Sequence, residues 1–133
     1  MASRRKGRIF AFQALYAWDL SGALPETDDN TGNVTDDDFS RLLVTGAIEN
    51  IASIDAMIRE HLQNWAFSRV SKVDLAILRI SVYTLMFQPD IAPSIAINEA
   101  IGISKEYGTD DSYRFINGVL DGIRKTLSEP VKK

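Results

Sequence analysis

A chain of 133 residues, 45% of them hydrophobic, carries enough apolar material for one globular domain with its own core. It contains no cysteine, which excludes disulfides, thiolate nucleophiles and Cys-ligated metals and fits a cytoplasmic home. The formal net charge of −3 conceals a division: Arg4, Arg5, Lys6 and Arg8 crowd the N-terminus, while Glu26, Asp28, Asp29, Asp36, Asp37 and Asp38 gather acid further on, so an acidic protein has one localised anion-attracting end.

The opening MASRRKGR is basic, but the IFAFQALYAWDL that follows carries Gln13 and Asp19 and lacks a small-residue cleavage site, so it reads as a helix and not as a signal peptide. From Arg4 to Leu20 the residues favour helix, with Gly7 the weak point. Two apolar stripes run along it at three- and four-residue steps: Ala11, Ala14, Leu15 and Trp18 on one side, Ile9, Phe12, Tyr16 and Leu20 roughly opposite. Either both stripes are buried, or the second is a binding surface beside the basic turn.

Residues 21–35, rich in Gly, Pro, Asp, Asn and Thr, predict a long acidic loop. Asp36 to Asp38 then suit the cap and first turn of a helix over FSRLLVTGAIENI better than a cation site, because carboxylates stabilise helix N-termini. Its expected inner face is Phe39, Leu42, Leu43, Gly46, Ala47 and Ile51. Ser53 reads as the N-cap of the next helix, IDAMIREHLQNW, with Ile54, Met57, Ile58, His61 or Leu62, and Trp65 inward. His61 has no metal-ligand pattern around it and reads as a packing or surface residue.

Ser68 and Ser71 offer caps for a short turn and then for Val73 to Phe87, the least polar stretch of the chain. At 100° per residue its apolar side chains point in every direction, the mark of a helix surrounded by others. With Asp74 and Arg79 inside it, the run is too short and too charged to span a membrane. Pro89 ends it and Pro93 opens PSIAINEAIGISKEY, which buries Ile97, Ala100, Ile101 and Ile103 or Tyr107 and stops at Gly108. Asp110, Asp111 and Ser112 cap a last helix, SYRFINGVLDGIRKTL, with Ile116, Val119 or Leu120, Ile123 and Leu127 as its core stripe. Gly118 within it suggests the close approach of another helix. The tail EPVKK is expected to fray. The fold class is therefore all-α, six or seven helices able to form an N-terminal and a C-terminal three-helix bundle.

No phosphate loop, His–Glu metal helix, nucleophile elbow or dinucleotide fingerprint occurs, and no pair of carboxylates is placed for acid–base work, so the expectation is a non-enzyme without cofactor or metal. The basic turn can neutralise phosphates, and Tyr16, Tyr107, Tyr113 and Phe115 can stack on bases. Single-stranded RNA is the nucleic acid best read that way.

Four strings in order, FQALYAWDL, VDLAILRISVYTL, PSIAINEAIGISKEYG and DDSYRFINGVLD, resemble the NusB family of bacterial transcription antitermination factors over most of the chain outside 21–35. The resemblance implies two three-helix bundles. It also implies binding of the boxA element of nascent ribosomal RNA together with the ribosomal small-subunit protein that doubles as NusE, in a complex with other Nus factors and RNA polymerase. By position it assigns phosphate contacts to Arg4, Arg5, Lys6 and Arg8, aromatic contacts to Tyr16, Tyr107 and Phe115, the border of the RNA surface to Asp111, and the ribosomal-protein face to Asp74. Two departures stand out: Gly7 interrupts the basic run, and Leu75 stands where relatives often carry Arg or Lys. The acidic bulk and the second stripe of the first helix support an alternative, a protein-interaction adaptor or homodimer without RNA affinity.

Overall fold

The computed structural model describes residues 4–24, 38–63 and 66–128. Six α-helices follow one another: α1 (Arg4–Ser21), α2 (Asp38–Glu49), α3 (Ile51–Glu60), α4 (Lys72–Phe87), α5 (Pro93–Tyr107) and α6 (Ser112–Ser128), with one 3₁₀ turn at Phe67–Arg69 before α4. No strand occurs among the described residues. Most of the predicted loop 21–35 and the acidic pair Asp36 and Asp37 lie outside them, as do Trp65 and the EPVKK tail.

Helix α4 is the axis. Every residue from Leu75 to Thr84 is buried, so the helix predicted to be apolar on all sides is covered on all sides. Within that buried run Ser81 Oγ donates to the Ile77 carbonyl at 2.8 Å, Thr84 Oγ1 donates to the Ile80 carbonyl at 3.2 Å, and Arg79 forms ion pairs with two other helices. Helices α1, α2 and α3 pack on one side of α4; α5 and α6 pack on it and on each other from the other side. The two expected bundles therefore meet in α4, and the buried side chains form one connected cluster drawn from all six helices.

The local signals explain most boundaries. Ser71 caps α4 by accepting the Asp74 amide at 3.1 Å, as its position before the apolar run predicts. Pro93 stands in the first turn of α5, where its missing N–H costs nothing. At the end of α1, Gly22 adopts φ +78° and its amide closes on the Trp18 carbonyl at 2.7 Å, a left-handed stop that any β-carbon would strain.

Several expectations need correction. Asn50, not Ser53, separates α2 from α3, and Ser53 instead donates to the Asn50 carbonyl. Helix α3 stops at Glu60 and does not run on through Leu62. Leu42 and Leu127, expected in core stripes, are exposed, because each lies at the edge of its helix's covered arc. Gly118 faces open space. The glycines that other groups approach are Gly46, against the ring of Tyr83, Gly102, against the guanidinium nitrogens of Arg5, Gly108, against the side chain of Ser112 and the Ser104 carbonyl, and Gly122, beside the ring of His61. His61 is indeed a packing residue: Nδ1 lies 2.8 Å from the Met57 carbonyl and Nε2 2.8 Å from Thr126 Oγ1, linking α3 to α6.

Both stripes of α1 are largely consumed by packing. Ala11, Phe12 and Leu15 are buried, Ile9, Ala14, Tyr16 and Trp18 pack half-buried against the core, and of these residues only Leu20 is exposed. The Gly7 carbonyl accepts a hydrogen bond from Ser40 Oγ at 3.0 Å, which pins α1 to α2 next to the basic turn.

Candidate nucleic-acid interface

Helices α1 and α5 run side by side in the same direction. Their backbones make little direct contact, and long side chains bridge them. At one end Arg5 donates through Nε to Glu99 Oε1 at 2.8 Å and through Nη2 to Oε2 at 3.0 Å, a two-pronged pair. At the other end Phe12 meets Tyr107 edge to face, ring centroids 5.2 Å apart. Arg5 and Phe12 are seven residues apart on α1, about 10 Å along a helix axis. The seam thus has a cationic end and an aromatic end.

At the cationic end the four basic residues are not equivalent. Arg4 is exposed and lies over the ring of Phe39 on α2, 4.3 Å from its centroid. Lys6 is exposed. Arg8 is buried, 7% exposed, with its guanidinium 5.1 Å from the Phe39 centroid and Nη1 3.6 Å from Glu99 Oε1. A guanidinium placed so deep joins α1 to α2 and α5 and offers little to a phosphate outside. Arg4, Arg5, Arg8, Phe39 and Glu99 all line an open cleft of about 720 Å³, whose other walls include the acids Asp38 and Asp90 with Leu42, Gln88, Ile91, Ala92 and Ile95.

The charges tune one another as the geometry requires. The hydrogen bond from Arg5 holds the Glu99 carboxyl below its ordinary range, against burial, which alone would raise it. The same bond strengthens the hold of Arg5 on its proton. Arg8 moves the other way, lowered chiefly by burial and further by Arg4 and Arg5, with Glu99 opposing.

The aromatic end gathers around the α5–α6 connection. Tyr107 is the last residue of α5 and 39% exposed; Asp111 is exposed in the connection; Phe115, one turn into α6, is half-buried against the core. The connection is held by a capping exchange in which Ser112 Oγ accepts the Thr109 amide at 2.9 Å while the Ser112 amide donates back to the Thr109 carbonyl at 3.1 Å. Tyr16 follows Phe12 by one turn on the same face of α1, which carries it toward this end.

Asp74 sits in the first turn of α4 with Oδ1 shielded from solvent and, among the described residues, without a hydrogen-bond partner. Asp19, near the end of α1, reaches Lys72 at 3.2 Å, so the start of α4 lies beside the end of α1. Asp74 is therefore at the aromatic end of the seam, and fourteen residues of α1, about 20 Å, separate Arg5 from Asp19 beside it. Glu99, Gly102 and Phe39 complete the cationic end, yet the sequence marked Phe39 only as an inward-facing position and the other two not at all. Glu99 lies in the INEA string, but its role depends on a partner 94 residues away.

The match to known proteins covers nearly all of this framework. Residues 5–125 match the model of the NusB family. Among curated relatives, the transcription antitermination protein NusB of Treponema denticola is 50% identical, with 91% of this chain and 95% of the relative covered. That of Geotalea uraniireducens is 41% identical over 97% of this chain and 99% of the relative. Among solved structures, NusB of T. maritima superposes with a TM-score of 0.80 at 34% identity, covering 93% of this chain and 92% of that one. A chain from a crystal structure of antitermination factors NusB and NusE in complex with double-stranded RNA superposes with a TM-score of 0.76 at 27% identity, covering 92% of this chain and 96% of that one. The named relatives are transcription antitermination proteins, in agreement with the reading of a non-enzyme. On the family match, the near-complete coverage and the shared helical architecture, the chain belongs to the NusB family.

Proposed function

We propose that this protein is a transcription antitermination factor that binds the boxA element of nascent ribosomal RNA as a single strand, together with the ribosomal small-subunit protein acting as NusE. The observation that carries the reading is the α1–α5 seam of a NusB-family chain, with Arg4, Arg5 and Lys6 at one end and Tyr107, Tyr16 and the α5–α6 connection at the other. The cationic end meets phosphates. Tyr16, Tyr107 and Phe115 offer ring edges or faces to unstacked bases, and Asp111 borders them. Arg8 supports this surface from beneath. Asp74, at the far end of α1, faces the ribosomal protein, so RNA and protein partner lie along one side of the molecule. Other Nus factors and RNA polymerase join the same complex in the cytoplasm. Among the described residues no helix is long and apolar enough to cross a membrane.

The test is a titration of single-stranded boxA RNA at several salt concentrations, with and without the ribosomal protein. The triple substitution Arg4→Ala, Arg5→Ala, Lys6→Ala lowers affinity and reduces the salt slope by about one for each phosphate no longer neutralised. Binding indifferent to salt and to these changes overturns the reading. It would favour instead a helical adaptor or homodimer that captures protein alone.

A further inference from the structure

The cleft at the cationic end is neither a plain anion site nor a plain apolar groove. Its walls come from the N-terminal halves of α1, α2 and α5 and from the connection between α4 and α5. Arg4, Arg5 and Arg8 line it together with Asp38, Asp90 and Glu99, so cations and acids are equal in number. They are unequally spent. Glu99 is paired with Arg5 and Arg8, whereas Asp38 and Asp90 are exposed and form no ion pair among the described residues. Most of the remaining wall is apolar: Leu42 and Ile95, with 50% and 52% of their surface exposed, line the cleft with Phe39 and Ile91. One such side chain in water needs no explanation, but two gathered in a concavity with unpaired acids beside them have the make-up of a binding site.

We infer that this cleft is a subsite for one unstacked RNA base, and that it favours a base with an exocyclic amino group, namely adenine, cytosine or guanine, over uracil. The inference rests on the proposed RNA-binding function and deepens it. A phosphate placed inside gains little, because the arginines of the cleft are offset by as many carboxylates. An apolar peptide side chain would use the walls but would desolvate Asp38 and Asp90 without pairing them. A nucleotide answers every part of the lining. Its ring covers Leu42, Ile95 and their apolar neighbours, its amino N–H donates to the carboxylate of Asp38 or Asp90, and its phosphate stays outside with the exposed Arg4. Uracil has no exocyclic amine and turns carbonyl oxygens toward the acids instead. The volume of about 720 Å³ lies within the roughly 300–1,000 Å³ of small-ligand clefts, ample for a single base.

The test is an abasic scan. Single-stranded boxA RNA oligonucleotides carrying one abasic site, moved a nucleotide at a time, are titrated against wild type and two double variants, Leu42→Ser with Ile95→Ser and Asp38→Asn with Asp90→Asn. All four side chains are exposed, so both variants keep the fold. The expected result is one position at which the abasic site costs wild type roughly five- to thirty-fold in affinity and the serine variant less than about two-fold, with equal salt slopes because no cation has changed. At that position uracil binds wild type roughly ten-fold more weakly than an amino-bearing base. In the asparagine variant that gap closes, because an amide donates as well as accepts. Abasic costs that match in wild type and the serine variant at every position overturn the inference and leave the proposed function standing, even if the serine variant then fails to bind the ribosomal protein. Equal affinity for all four bases, or a preference for uracil, overturns the assigned ligand. A wild-type protein that binds no RNA overturns both the inference and the proposed function.

Discussion

Two arginines bridge helices in this molecule through the same chemistry and to different ends. Arg79, on the central helix, is 6% exposed, grips Asp55 of α3 with Nε at 2.9 Å and Nη2 at 2.8 Å, and places Nη1 3.5 Å from Asp19 of α1. Burial alone would weaken its hold on the proton, but the bonds and charges of Asp55 and Asp19 outweigh it and the net direction is upward. Arg5 grips Glu99 with the same two-pronged geometry but keeps 39% of its side chain in solvent. One guanidinium is spent on the interior, where its loss would strand the carboxylate of Asp55. The other is paired with one carboxylate and half in solvent. Depth of burial, not the pairing itself, separates a structural arginine from one able to receive a ligand.

The contrast can be broken most forcefully at Arg79. Arg79→Ala leaves Asp55 buried and unpaired and costs about 3–5 kcal/mol, read as a lowered urea midpoint. Since a domain of this size has only about 5–15 kcal/mol to lose, that variant stands close to unfolding. A smaller effect separates the two glycine seats. At Gly46 an added β-carbon runs into the ring of Tyr83, which is buried, so Gly46→Ala destabilises by about 1–2 kcal/mol despite its better helix propensity. Gly102→Ala meets only the end of a half-exposed side chain and leaves stability within about 1 kcal/mol of wild type.

The smallest effect is that of Glu99→Gln, below about 1 kcal/mol at neutral pH because the pair is partly solvated. Its sign follows from the carboxyl, held below its ordinary value of 4.5 in the folded state. The stabilisation from Glu99 is complete above that ordinary value and is lost as pH falls through the lower folded value. Wild type and Glu99→Gln therefore converge in stability as the solution is acidified from about pH 5 downward, a convergence that denaturation at successive pH values would measure. A gap that widens toward acid contradicts the assignment.

What the sequence made legible follows the range of the underlying physics. The burial of α4 on every side could be read from Val73 to Phe87, because hydrophobic packing leaves its periodicity in consecutive residues. Ser71, Pro93 and Gly108 could be placed because capping is decided within four residues. Glycine misled at Gly118: its cost to a helix interior is visible in sequence, but whether a neighbour occupies the vacated space is not, and within the helices the close approaches occur at Gly46, Gly102 and Gly122. Leu42 and Leu127 misled for a related reason, since periodicity gives the direction of a stripe and not its width. The cationic turn was plain in composition, yet its division into an exposed Arg4, a clamped Arg5 and a buried Arg8 depends on Phe39 and Glu99, tens of residues distant.

Because α4 belongs to both bundles and is enclosed along ten consecutive residues, neither half of the molecule can open without disturbing it. Its amide protons are reached by solvent only when all six helices come apart together, so their hydrogen–deuterium exchange reports global unfolding, whereas amides at the ends of α1 and α6 exchange through local fraying. The centre of the protein thereby carries its own internal gauge of total stability, against which opening at the α1–α5 seam can be compared within a single sample.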